Sequence, residues 1–141
     1  MIPSTARCLA ACASAIAAVA APPPAAAEEA GEATYRQVCG SCHAQGVAGA
    51  PRLGDRAAWK ARLREGQVEL TVDGWRGVRG MPPRGGQPDL PLAAFANATA
   101  FMARAAGAAW RDPDAAMLRR IAERAGRRPG ARPSGSPAKS G

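Results

Sequence analysis

Two cysteines and a histidine lie close together in the first third of the chain, as Cys39-Gly40-Ser41-Cys42-His43. The thiols are three positions apart, so they lie on one helical turn, and the histidine directly follows the second thiol. Cys-x-x-Cys-His is the spacing of a c-type haem attachment site. Two such thiols can add to the vinyl groups of one haem, and the next residue then lies beneath the iron. Cys39 and Cys42 are therefore the candidate covalent attachment points of one haem c. His43, the only histidine, is the candidate axial ligand of its iron.

Three other chemistries use paired cysteines: a structural disulfide, a thioredoxin-like redox pair and half of a zinc site. A redox pair is expected near a βαβ pattern, which this sequence lacks. Zinc would need further Cys or His ligands, and the remaining Cys8 and Cys12 lie in a predicted export signal. A disulfide would leave His43 unexplained, as well as an aromatic content of only 4%. So few rings favour a cofactor that fills the core.

A second axial ligand to such an iron can be a methionine thioether, which favours the ferrous state and raises the reduction potential. Met102 falls on the apolar stripe of a predicted core helix, where packing is the expected role, and Met117 lies in a basic extension. Met81 opens Met81-Pro82-Pro83-Arg84-Gly85-Gly86, a segment whose prolines exclude helix and central strand. This loop, 38 residues after His43, makes Met81 the candidate distal ligand.

The apolar spacing predicts helices that present these loops. Phe95, Ala98 and Met102 recur at helical intervals, and no segment alternates with a period of two. The sequence therefore predicts an all-α fold, with about four short helices wrapped round one haem. The four predicted helices of the domain cover residues 28–39, 56–64, 68–75 and 91–107, and a further helix is predicted over 112–124 in the extension. The predicted loops cover residues 40–54 and 81–86.

Residues 1–27 have the order of a cleavable secretory signal peptide. A start that contains Arg7 precedes an apolar run over residues 9–21, and small residues precede a cut after Ala27. The run is shorter than the roughly 18 residues of a spanning helix. We expect the mature protein in the periplasm. A lipid anchor on Cys12 is the alternative, because Leu9-Ala10-Ala11-Cys12 resembles a bacterial lipobox.

The net charge of +8 is concentrated at the carboxyl end. Residues 28–103 contain nine Arg or Lys and eight Asp or Glu, whereas residues 104–141 contain nine and three. The expected organisation is a domain over residues 28–107 and a basic extension over 108–141, partly helical and disordered over 126–141. An exported chain without a basic groove lined by aromatic rings does not support nucleic-acid binding. A solvated tail is favoured, and contact with an acidic partner is the alternative.

The sequence resembles the small monohaem class I cytochromes c, specifically the bacterial cytochrome c-five subgroup, over about residues 31–103. The resemblance rests on the haem motif, Gly31 and Tyr35, the segment from Gly49 to Asp55, Trp59 with Arg62, Gly66, and Met81-Pro82-Pro83-Arg84-Gly85-Gly86. It implies a class I cytochrome c fold in which Met81 is the distal ligand and the Pro51 carbonyl accepts the outer ring proton of His43. It also implies that Gly31 and Tyr35 pack crosswise against Phe101 and Met102.

The same resemblance places further side chains around the haem. The candidate surroundings are Pro51, Leu53, Trp59 and Arg62, and candidates near the propionates also include Arg52 and Arg84. This sequence departs from some members of the subgroup, which have an extra cysteine pair after the two glycines. Here Gln87-Pro88-Asp89 follows instead, and the last core helix opens without acidic residues.

The expected function is one-electron transfer by the haem, without enzymatic activity, between a donor and an acceptor that are themselves redox proteins. A membrane-bound oxidoreductase is among the candidate partners. One alternative is a haem enzyme or gas sensor with an open distal position, which would need an acid-base residue that no second histidine supplies. Another is a haem-bearing docking subunit of a larger oxidoreductase. Because a domain of this size has a small core, we expect the haem-free chain to be largely unfolded.

Overall fold

A computed structural model describes residues 24–127, so most of the predicted signal peptide, including Cys8 and Cys12, and the end of the extension lie outside the described residues. No helix in residues 24–127 is long and apolar enough to cross a membrane. This part of the chain has no strand, only an isolated bridge between Val78 and Met81. The all-α prediction is confirmed. The helices are α1 (Pro24–Thr34), α2 (Gly40–His43), α3 (Arg56–Leu63), α4 (Gln67–Arg76), α5 (Leu92–Ala105) and α6 (Ala115–Gly126).

The first helical segment runs through the cysteine motif. A π-helical turn over Tyr35–Cys39 joins α1 to α2 without a break, and the Gly40 N–H donates to the Tyr35 carbonyl. The sequence predicted a loop from Gly40, and that boundary is wrong. Gly40 has ordinary helical dihedrals (φ −60°, ψ −25°). A Cβ on it would lie 3.2 Å from the Tyr35 carbonyl oxygen, so the glycine serves close packing within the helix.

The first helical segment, which begins with α1, crosses α5 just before the cysteine motif. A Cβ on Gly31 would lie 2.7 Å from the Asn97 carbonyl oxygen and 3.4 Å from Cβ of Phe101, so only glycine permits this approach. One turn later the rings of Tyr35 and Phe101 meet with centroids 5.5 Å apart. Burial, and secondarily the nearby Cys39, raises the pKa of Tyr35. This crossing orients the following helical turn.

Two shorter helices lead to the second functional loop. Asp55 caps α3 by accepting the Ala58 N–H at 3.0 Å, and Gly66, with φ 85°, separates α3 from α4. The prolines and glycines after α4 end the helix as predicted, although Pro83–Gly86 forms one short 3-10 turn. Arg84 and Gly85 have positive φ in this turn, so it does not continue as a helix.

Part of the basic extension packs on the domain as α6. The sequence predicted this helix from Asp112, but it begins at Ala115, because Asp114 is the N-cap and accepts the Met117 N–H at 2.7 Å. Asp112 instead pairs with Arg104 of α5 at 3.1 Å. The apolar face of α6 completes a second core cluster, whose buried members are Val72, Ala96 and Ile121. The helical part of the extension is therefore joined to the domain by a core of its own.

Candidate haem site

A deep cleft lies between the end of the first helical segment and the loop that follows α4. Its empty space, counted with the open mouth, is about 1140 Å³. One wall carries Cys39, Cys42 and His43, and the loop on another side contributes Met81. The structure thus brings together four candidate residues that the sequence separates by up to 42 positions. Its further lining includes Pro51, Trp59, Arg62, Leu70, Phe95, Thr99 and Met102.

The two cysteines face this cleft as free thiols rather than as a disulfide. Cys39 lies in the π-helical turn and is buried, while Cys42 on α2 is half-buried. Burial raises the pKa of the Cys39 thiol to about 11, an effect that a backbone hydrogen bond partly offsets. In residues 24–127 no group of three or more His, Cys, Asp or Glu side chains is arranged to hold a metal ion by itself.

His43 is oriented by the loop that follows it. It is buried, and its Nδ1–H donates to the Pro51 carbonyl oxygen at 2.8 Å, which leaves Nε2 as the ring nitrogen available for coordination. The Leu53 N–H donates to the His43 carbonyl at 2.8 Å, which closes the loop onto α2. Trp59 is the other neighbour, with its ring centroid 6.0 Å from that of the histidine. These contacts set the tautomer and the ring plane before any metal binds.

Met81 is presented by a tightly constrained turn. Val78 and Met81 exchange two backbone hydrogen bonds of 3.1 and 2.9 Å, which fix the start of the loop. The Met81 methyl carbon reaches the side of α4, where a Cβ on Gly74 would lie 3.7 Å from it and 3.0 Å from the Phe95 ring. The glycine in α4 therefore leaves room for the Phe95 ring, and the thioether side chain packs beside it at an ordinary contact distance.

Several residues expected around the haem lie elsewhere. Leu53 does not line the cleft and packs instead against the cluster of Tyr35, Cys39 and Trp59. The Arg84 guanidinium lies 4.5 Å above the Trp75 ring, so this side chain is not at the cleft. Arg52 is also absent from the lining, although its carbonyl accepts the Trp59 Nε1–H at 2.8 Å. Of the arginines proposed for the propionates, only Arg62 lines the cleft.

The structure adds residues that the sequence analysis did not single out. Thr99 lies one turn after Phe95 on α5, and both line the cleft, so the helical stripe already identified could have predicted the second. Asp73 and Arg79 also line it. The spacing of apolar residues does not predict which charged residues line a cleft, so only the tertiary structure shows that these two do.

The residues present fit a covalently held haem. The donor set combines two thiols at the attachment spacing, a histidine whose outer nitrogen is already bonded, and a thioether, which are ligand types that iron porphyrins accept. Most of the remaining lining is apolar, as a macrocycle requires, and Arg62, whose Nη1 donates to the Ala58 carbonyl at 2.6 Å, adds a positive charge to it. Cys39 and Cys42 would hold the group, with His43 and Met81 at its iron.

Comparison with known proteins agrees with this geometry. Residues 26–102 match the family model described as cytochrome C oxidase, cbb3-type, subunit III. The chain is 43% identical over 77 residues to cytochrome c-555 of Chlorobaculum tepidum. This alignment covers 52% of this chain and 71% of that protein. The chain belongs to the class I cytochromes c. The resemblance seen in the sequence is confirmed, and this cytochrome carries a single covalent haem c as an electron carrier.

Other relatives of this cytochrome agree. Cytochrome c5 of Ectopseudomonas mendocina is 43% identical over 49 residues, which cover 33% of this chain and 56% of that protein. A solved cytochrome c structure matches at 45% identity and a TM-score of 0.52, over 55% of this chain and 94% of its own length. It comes from the crystal structure of an electron transfer complex of nitrite reductase with cytochrome c. The family match ends at residue 102, so α6 lies beyond it.

Proposed function

We propose that this cytochrome is a periplasmic one-electron carrier whose haem iron is ligated by His43 and Met81. The observation that carries the proposal is the shared cleft, which collects both side chains and both cysteines around one space. With both axial positions filled, no substrate binds the metal, and the haem supplies the redox chemistry. The protein positions the ligands, excludes water with an apolar lining and tunes the potential.

Each supporting residue has a defined part in this proposal. Cys39 and Cys42 provide the two thioether attachments, and the Pro51 carbonyl keeps Nδ1 of His43 protonated, so that Nε2 ligates. Trp59 packs beside the histidine with its indole N–H bonded to the Arg52 carbonyl. Arg62, at the rim, provides a positive charge for a propionate.

The proposed partners are redox proteins that donate and accept one electron. Support comes from the solved neighbour, a cytochrome c in an electron transfer complex with nitrite reductase. For this chain we propose the same kind of partner, a protein whose own redox centre exchanges an electron with the haem. A membrane-bound oxidoreductase is one candidate, and the charge distribution adds an acidic protein that contacts the basic extension.

Export supports the periplasmic part of the proposal. Residues 1–27 have the order of a secretory signal, so the mature chain would start at Glu28 and comprise the domain over 28–107 and the extension over 108–141. The intact mass of the matured protein reports both the cleavage position and the haem, and distinguishes a start at Glu28 from an acylated start at Cys12.

The experiment that tests the ligation is an absorbance spectrum of the haem-loaded protein in both redox states. A methionine-ligated ferric haem shows a weak near-red charge-transfer band, which we expect in the unmutated protein and not in Met81→Ala. Met102→Leu is the matched control, because Met102 lines the same cleft and the replacement conserves volume. This control should keep the band.

Two results would contradict the proposal. If the unmutated protein binds covalent haem without the band and its ferrous form takes up carbon monoxide at rest, the distal position is open and a haem enzyme or sensor is the better description. If Met102→Leu loses the band and Met81→Ala keeps it, the wrong methionine has been assigned.

A further inference from the structure

Arg76 connects the end of α4 to the end of α6. It is the last residue of α4 and lies five positions before Met81. Its Nε–H donates to the Ala125 carbonyl at 3.2 Å, and its Nη2 donates to the carbonyls of Arg124 and Arg127. Carbonyls at a helix carboxyl end lack the usual i+4 partners and carry partial negative charge; of the three, that of Arg124 also accepts the Arg127 N–H at 3.1 Å. The guanidinium therefore caps α6 from a neighbouring helix.

The extension is joined to α4 along the whole length of that helix. Gln67, the first residue of α4, donates from Nε2 to the Arg111 carbonyl at 2.6 Å. Glu69 pairs with Arg124, and in the middle Val72 and Ile121 are both buried in one cluster. Contacts at the beginning, middle and end of α4 thus hold it against the extension.

The end of α4 also packs against the loop that follows it and presents Met81, called the Met81 loop below. Gly77 follows Arg76 with φ 87°, and a Cβ there would lie 2.8 Å from Cδ of Pro83 and 3.0 Å from the Met81 carbonyl oxygen. The first residue of the loop is thus packed against its later residues. Ala125 of α6 lines the same surface groove as Pro83. A shift of Arg76 would be passed directly to the loop that presents the thioether.

We propose that α6 restrains the distal-ligand loop and that Arg76 is the positioning residue through which it acts. This inference rests on the proposed axial role of Met81. Arg76 does not touch the iron site; it keeps the end of α4, and so the Met81 loop, in the closed position. The segment beyond the family match thereby sets how often the methionine leaves the iron.

The test measures how readily added imidazole replaces the methionine in full-length, haem-loaded ferric protein. Imidazole reaches the iron only when the loop opens, so its apparent affinity scales with the open fraction. Loss of the charge-assisted bonds in Arg76→Gln should tighten imidazole binding by about tenfold. Arg76→Lys, which keeps a donor and the charge, should give a smaller change. Arg119→Gln is the matched control, since Arg119 is an exposed arginine of α6, and it should bind as the unmutated protein does.

A general loss of stability must be separated from loop control. Phe101→Leu weakens the contact of α5 with the Tyr35 ring, which does not involve α6, and should lower the melting temperature without comparable tightening of imidazole binding. Ile121→Val is a milder change in the contact between α6 and the domain, and it should tighten imidazole binding by roughly threefold. It replaces Arg76→Gln in the test if that variant does not incorporate haem.

The inference is overturned if Arg76→Gln, or Ile121→Val in its place, binds imidazole as Arg119→Gln does. It is also overturned if imidazole affinity simply follows melting temperature across all variants, Phe101→Leu included. A near-red band that persists in Met81→Ala would instead refute the ligand assignment itself, so the two failures are distinguishable.

Discussion

Replacing Ile121 by alanine should show that α6 belongs to the cooperative fold. Ile121 is completely buried, in a cluster with Val72 and Ala96. The change removes three carbons, about 2.4 kcal/mol at roughly 0.8 kcal/mol for each, and leaves a cavity that α6 can only partly close. We therefore expect the free energy of unfolding to fall by about 3 kcal/mol. For a domain of this size the melting temperature should fall by roughly 12–24 °C.

The assay is thermal and denaturant unfolding of the haem-loaded protein, followed by circular dichroism and by haem absorbance. Coincident transitions would show that α6 and the haem domain unfold together. Arg120→Ala is the control, because Arg120 is exposed on the same helix, and it should change stability by less than about 0.5 kcal/mol. If Ile121→Ala is equally silent, α6 is not part of the cooperative unit, and the reasoning from its burial is wrong.

Two further predictions concern the first helical segment. Gly31→Ala should destabilise the protein by about 1–3 kcal/mol in denaturant unfolding, because its Cβ would lie 2.7 Å from the Asn97 carbonyl oxygen. Gly126→Ala should be neutral or stabilising, because an added Cβ there would have no atom within 4 Å apart from its chain neighbours and the backbone of its own helix. Equal losses in both variants would contradict this. In the haem-free chain, which we expect to be largely unfolded, Cys39 and Cys42 should be alkylated at similar rates at pH 8. In a folded haem-free chain, burial would hold the pKa of Cys39 at about 11 and lower its thiolate fraction at pH 8 about a hundredfold. Alkylation of Cys39 would then be slow at pH 8 and would lose this slowing above pH 11. Selective slowing of Cys39 at pH 8 would therefore refute the expectation of an unfolded haem-free chain.

The candidate site was largely predictable because its signals are local. Attachment chemistry depends on the spacing of Cys39, Cys42 and His43 within five residues. The Met81 loop is predictable because two prolines exclude the alternatives. The Phe95, Ala98 and Met102 spacing predicts a core helix, and α5 is observed there with all three residues buried.

Other features depended on contacts between distant segments. Gly40 looked like a helix end, yet it has helical dihedrals and its N–H donates to the Tyr35 carbonyl. The residue is glycine because a Cβ there would crowd that carbonyl, a constraint that composition does not reveal. Leu53, Arg52 and Arg84 were placed near the haem by resemblance, but side-chain direction is set by local partners such as the Trp75 ring under Arg84.

The sequence by itself determined the haem chemistry, the helical class and the family, since each follows from spacing and residue type along the chain. Only the tertiary structure decided that the helix predicted in the basic extension packs on the domain. Its charge favours solvent, but the burial of Ile121 and the capping of three carbonyls by Arg76 hold it on α4. Those contacts join residues about 50 positions apart, and no pattern within either segment predicts its partner.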